Sequence, residues 1–222
     1  MKKLIIPLLI ANFAIAQQTL SVNQITGDQS VFSGIKSTTG KNLTYDEIQG
    51  SPYFDKSFHL AKLADNYEEL PIRYNSYKDE IEFQKDGKTL VLPKDSKFSR
   101  VVVKSTNQTF VLLDNNNEEA NGYFIELING KNSLYKKVKT VFKDTVPAAS
   151  TYASDKPATF QTQDPLYYIK TENSFIKLKN QKTINEQVPE KKEVLSTFFK
   201  SNKIKFDKDA DLMKLVNFLN QN

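Results

Sequence analysis

The chain has 222 residues, no cysteine, a single histidine and a formal charge of +5. Without cysteine there are no disulfides, no thiolate metal sites and no cysteine nucleophile, and one histidine rules out zinc sites built on two or three imidazoles. The charge is small and its lysines are dispersed, with no recognition helix, zinc finger or basic arm, so nucleic acid is not an expected partner.

Lys2 and Lys3 precede an apolar run from Leu4 to Ile10, and Ala14-Ile15-Ala16 is a small-x-small cleavage signature. These are the three parts of a secretory signal peptide over residues 1–16, with the mature chain starting at Gln17. The apolar run is shorter than the roughly 20 residues of a spanning helix, so no retained anchor is expected. No later segment is apolar enough to span, so the mature chain is expected to have no transmembrane segment. The absence of cysteine also removes lipoprotein acylation. The expected address is the periplasm, with the extracellular space second. Residues 17–50 are polar and punctuated by Gly27, Gly34 and Gly40. They read as a lightly ordered N-terminal segment in which Val31 to Ile35 makes one short strand.

Residues 51–143 carry period-two patterning and read as an antiparallel β region. Phe58, Leu60 and Lys62 alternate with His59, Ala61 and Leu63. Glu80 to Gln84 and Thr89 to Leu92 flank Asp86-Gly87, a pair suited to the two positive φ angles of a type I′ turn. That turn places Phe83 opposite Leu90 and Ile81 opposite Leu92 on one face. Glu80 and Glu82 then point the other way, toward the face that hairpins usually leave in solvent. Further strands are expected over Phe98 to Lys104, Thr109 to Leu113, Gly122 to Ile128 and Leu134 to Phe142. The register across Asn129-Gly130 stays open between two- and four-residue loops.

Residues 144–163 hold Pro147 and Pro157 without periodicity and read as a loop or linker. Residues 164–222 read as a β-hairpin plus a C-terminal helical pair. The hairpin turns at Glu172-Asn173 and pairs Ile169 with Ile176 and Tyr167 with Leu178. Pro189 suits the first turn of a helix whose apolar face is Val194, Leu195, Phe198 and Phe199. Asp207 is the expected N-cap of the next helix, where Leu212, Leu215, Val216 and Leu219 follow helical spacing. The fold class is α+β: a predominantly antiparallel β-sheet with a C-terminal pair of α-helices.

No catalytic residue is assigned. A Ser-His-Asp triad would have to use His59, and no G-x-S-x-G elbow holds a serine. Neither phosphate-binding glycine motif occurs, so no nucleotide cofactor is expected. Asp207, Asp209 and Asp211 begin like a calcium loop, but Leu212 and Phe218 replace its required glycine and glutamate. The run from Asp114 to Glu119 is oxygen-rich, as turns often are. No metal or other cofactor is expected. Among 31 basic residues only Arg73 and Arg100 are arginines. In so lysine-biased a chain an arginine marks a place for a planar bidentate fork. Arg73, Tyr74, Asn75 and Tyr77 are therefore the candidate ligand or partner contacts, set against an internal salt bridge from Arg73 to Glu80 or Asp79.

The run Pro71-Ile72-Arg73-Tyr74-Asn75 through Asp79-Glu80-Ile81-Glu82-Phe83, and the ending from Lys191-Lys192 through Phe198 to Leu219, resemble a group of uncharacterised small exported proteins of Bacteroidota-type bacteria. The resemblance implies export and a shared fold and carries over no catalytic residue. The leading expectation is a non-enzymatic periplasmic binding or protein-interaction module, whose partner is an envelope protein or a small ligand. The alternatives are a carrier of an apolar ligand and a metal-independent hydrolase using carboxylates near Arg73.

Overall fold

A computed structural model describes residues 34–222 except 116–119, 151 and 173. The leader, most of the 17–50 segment and most of the acidic run after Asp114 lie outside the described residues. The strands are β1 (Gly34–Lys36), β2 (Asn42–Thr44), β3 (His59–Lys62), β4 (Glu69–Asn75), β5 (Glu80–Lys85), β6 (Lys88–Val91) and β7 (Arg100–Val103). They continue with β8 (Thr109–Leu113), β9 (Gly122–Ile128), β10 (Ser133–Lys137), β11 (Thr140–Lys143), β12 (Thr159–Thr162), β13 (Leu166–Lys170) and β14 (Phe175–Lys177). Three helices follow: α1 (Gln181–Gln187), α2 (Lys192–Ser201) and α3 (Asp209–Gln221). The architecture is α+β, with ten strands in one sheet in the order β14-β13-β10-β9-β8-β7-β3-β4-β5-β6. Every neighbouring pair in that sheet is antiparallel.

The local turn chemistry sets the β5–β6 register. Asp86 and Gly87 take φ angles of 49° and 73°, and Phe83 pairs with Leu90. Leu92 N–H donates to the Ile81 carbonyl at 2.8 Å. The β13–β14 hairpin also has the expected pairs, Ile169 with Ile176 and Leu178 N–H on the Tyr167 carbonyl. Across Asn129-Gly130 the register shifts between Leu134 and Tyr135, so a bulge replaces a simple hairpin.

The sheet is rolled. Tyr74 on β4 and Phe110 on β8 are three strands apart in the sheet order, and Tyr74 and Tyr123 on β9 are four apart. A flat sheet sets such positions roughly 14 and 19 Å apart at the backbone. Their ring centroids lie at 5.2 and 6.3 Å. Inside the roll Ile72, Ile81, Phe83, Phe98 and Tyr123 form one core, each no more than 1% exposed. Asp79, in the β4–β5 turn, fastens the roll. It accepts the Tyr74 hydroxyl at 2.7 Å, Tyr123 N–H at 3.1 Å and Lys137 Nζ at 3.2 Å. Burial pulls the Lys137 ammonium below its ordinary range, against the opposing pull of Asp79.

Gly122 lies under this clasp at φ +94°, and a Cβ there would sit 1.8 Å from Asp79 Oδ2. Gly122→Ala is expected to cost about 3 kcal/mol or more, from left-handed strain plus the clash. Gly87→Ala, at φ +73° with nothing within 4 Å, is expected to cost only about 1–2 kcal/mol. Urea unfolding of the two variants checks the contrast.

The rest of the same face carries the helices. Leu134 and Ile169 on the sheet pack with Ile184, Leu195, Leu212, Leu215 and Val216, all fully buried. The helices thus dock in cis. Four local features here differ from the sequence-based expectations. α1 was not foreseen, since Ile184 and Val188 are its only buried anchors, and Asn180 caps it through Thr183 N–H at 3.0 Å. Lys208, not Asp207, occupies the N-cap of α3, a boundary shift of the ordinary size. Val194 is 42% exposed rather than part of the buried stripe. The strand expected over Leu134 to Phe142 breaks after Lys137, and β11 leaves the sheet to pair with β12.

That departure makes the described residues of 140–162 an arm, in which the expected loop runs between β11 and β12. Val146 and Lys156 bridge beneath its tip. The arm packs with the β1–β2 hairpin: Tyr45, Ile48, Ala158 and Phe160 make a small core over the outer face of β4 and β5. Asp144 ties the hairpin to the arm, accepting Ser37 Oγ at 2.8 Å, Thr38 N–H at 2.6 Å and Thr38 Oγ1 at 2.7 Å. The Thr38 backbone N–H, then its hydroxyl, holds the Asp144 carboxyl down at about 2. The folded value lies below the unfolded one of about 3.9. The tie is therefore fully present above about pH 4 and is lost as pH falls toward about 2. The Thr38 amide resonance is expected to titrate with a midpoint near about 2, and a midpoint near about 4 would contradict the contact.

Candidate functional site

Strand alternation separates the four residues chosen from sequence. Tyr74 faces the interior of the roll, 4% exposed. Arg73 and Asn75 lie on the outer face. Tyr77, in the following turn, packs its ring against Phe160 at 5.3 Å. The four do not converge on one site.

Arg73 instead anchors a buried polar knot. It pairs in register with Glu82 across β4 and β5, its Nε 2.8 Å from Glu82 Oε2. Asn75 Nδ2 donates to Glu82 Oε1 at 3.1 Å, and Arg73 Nη2 donates to the Tyr53 hydroxyl at 2.6 Å. The guanidinium also stacks 3.7 Å from the Tyr53 ring centroid and 4.5 Å from that of Phe58. Glu82 is 0% exposed. This corrects two expectations: the partner of Arg73 is Glu82, not Glu80 or Asp79, and the outer face of the hairpin is covered at Glu82, while Gln84 on the same face stays exposed. Tyr53 and Phe58, from the segment before β3, lie against the Arg73 side of it, and neither is local to the hairpin in sequence. Burial raises the Tyr45 phenol beside this knot to about 12, against the lowering effect of the nearby Asn75 side chain.

Next to the knot is a cleft of about 180 Å³. It arises because β3 and β7 part company. They pair only through Ala61–Val103 and Lys62–Val102, with Lys104 N–H adding one bond to the Leu60 carbonyl. Beyond that point the residues before β3 and the turn between β7 and β8 diverge. The apolar part of the cleft is Ile72, Val103 and Phe110, and the polar part is Asp55, Ser57, His59, Thr106 and Gln108. Tyr74, Arg73 and the 41%-exposed Phe54 complete it.

Asp55 organises the mouth. Its Oδ1 accepts Ser57 N–H at 2.8 Å and its Oδ2 lies 2.9 Å from His59 Nε2. The Ser57 N–H, then the His59 ring, draws the Asp55 carboxyl below its ordinary range. Among the described residues the Ser57 hydroxyl makes no hydrogen bond to His59, so the geometry of a nucleophilic triad is not present. Of the cleft's origin, sequence offered one signal: Asp55 and His59 stand four apart around a serine, beside a strand start.

No group of three or more metal-ligating side chains occurs among the described residues. The acids of the calcium-like run have protein partners instead. Asp209 accepts the Tyr167 hydroxyl, and Lys136 Nζ at 2.9 Å; Asp211 accepts Lys205 N–H at 2.9 Å. Among the described residues no helix is long and apolar enough to cross a membrane. Comparison with family models, curated proteins and solved structures finds no match for the chain.

Proposed function

We propose that the protein is an exported, non-enzymatic binding module of the periplasm that takes a small ligand, or a side chain of an envelope partner, in the β3–β7 cleft. The leader-like sequence over residues 1–16 supports export. The observation that carries the binding reading is the cleft itself, with about 180 Å³ of space between an apolar floor and a polar mouth. An apolar cavity of about 150 Å³ accepts a benzene-sized group, and specific sites combine such a floor with a few polar groups.

Carriage of an apolar ligand draws on the same floor. The interior of the roll is already occupied by side chains such as Phe83, Phe98 and Tyr123. Hydrolysis by paired carboxylates requires two acids facing one cleft. Glu82 is fully buried against Arg73 and Asn75, and among the described residues Asp55 is the one acid lining the cleft. The hydrolase reading therefore finds little support.

The test is methyl-resolved NMR of the mature chain titrated separately with toluene, phenol and choline. At least one probe is expected to shift Ile72 and Val103 saturably while leaving the methyls packed under the helices unmoved. No saturable shift with any of the three would contradict the reading.

A further inference from the structure

Resting on that reading, we infer that the cleft selects a small organic cation, an alkylammonium group. Three aromatic residues line it: Phe54, 41% exposed, and the largely buried Tyr74 and Phe110. Tyr74 and Phe110 meet at 5.2 Å with their planes tilted by 44°, which leaves an angled wall rather than a flat stack. Ring faces carry negative quadrupole charge and attract cations, most strongly where water is excluded.

Charge points the same way. Among the described residues Asp55, paired with His59, is the one carboxylate lining the cleft, and no lysine lines it. The Arg73 charge is already neutralised by Glu82, at 2.7 Å, with the Glu82 side chain 0% exposed. An anionic ligand would have to draw Arg73 away and strand a buried carboxylate, which is strongly unfavourable. A neutral ligand would fill the floor but gain nothing from the Asp55 carboxylate, which already has Ser57 N–H and the His59 ring as partners. A cation satisfies both the rings and the carboxylate, with its apolar substituents on Ile72 and Val103.

The experiment compares choline with 3,3-dimethylbutan-1-ol, its uncharged carbon isostere, on the intact mature chain. Choline is expected to bind about tenfold tighter or better. Asp55→Asn, which keeps a side-chain oxygen to accept Ser57 N–H, is expected to remove that preference with little change in the thermal midpoint. Phosphatidylcholine vesicles form a separate arm. Co-sedimentation that free choline displaces assigns the cation to a lipid headgroup, and binding of choline without co-sedimentation assigns it to a free solute. Equal affinity for choline and the alcohol overturns the cation inference while the cleft stands as a binding site. Binding of neither overturns both.

Discussion

Arg73→Ala is expected to lower the unfolding free energy by about 3–5 kcal/mol, the cost of leaving one member of a buried ion pair alone. The reason is asymmetric. Glu82 is 0% exposed, and its Oε2 takes both Nε and Nη2 of Arg73. Asn75 supplies a single neutral donor to the other oxygen. Removing the guanidinium therefore leaves a carboxylate that neither water nor the protein can neutralise. The Tyr53 and Phe58 rings also lose the group stacked between them. The double variant Arg73→Met/Glu82→Leu is expected to recover most of the loss, because a hydrophobic pair of similar volume often replaces a buried ion pair without penalty. Lys131→Ala, which breaks an ion pair whose side chains are 64% and 65% exposed, is expected to change stability by less than about 1 kcal/mol. Urea midpoints for the three variants give the comparison. A loss near zero for Arg73→Ala would mean that the knot is open to solvent.

Ending the chain before Pro189 is expected to abolish cooperative folding. That truncation removes α2 and α3 and, with them, Leu195, Leu212, Leu215, Val216 and Leu219, each no more than 1% exposed. Burial of one such side chain contributes about 2 kcal/mol, so together they match the net stability of a whole domain, about 5–15 kcal/mol. The loss also uncovers Leu134, Tyr167 and Ile169 on the sheet, an apolar surface that favours aggregation. Native links from the helices to the sheet are polar as well: Asn220 joins Asn132 through both its Oδ1 and Nδ2. A soluble truncated chain with a sharp urea transition and unchanged near-ultraviolet circular dichroism would show that the helical layer is dispensable.

What the sequence displayed was the structure that local chemistry determines. Asp86-Gly87 specifies its own turn, and the alternation beside it specifies which side chains share a face, so the register from Phe83 to Leu90 was readable. The α3 stripe was readable for the same reason, since four residues at helical spacing need only one partner surface. The burial of Glu82 was not readable. It depends on Tyr53 and Phe58 being laid against Arg73 on β4, and nothing within the hairpin encodes them. The arm itself was hidden because β12 has one buried apolar residue, Phe160, too few to show a period. The choice of Arg73 as unusual was sound chemistry, but strand alternation sent Tyr74 to the opposite face and Tyr77 into a third environment. Beyond the Asp55–His59 spacing the cleft left no trace in the sequence, because its mouth comes from two polar segments far apart in the chain that meet only where β3 parts from β7.

Native mass spectrometry of the mature chain, purified gently from the cell envelope, tests the binding account most directly when paired with Ser57→Trp. Ser57 is exposed at the cleft mouth, so an indole there blocks entry without entering the core. The account predicts a non-covalent adduct of small mass on the wild-type chain, lost from Ser57→Trp while both proteins keep the same thermal midpoint. An adduct retained on Ser57→Trp, or no adduct on either chain, would contradict it.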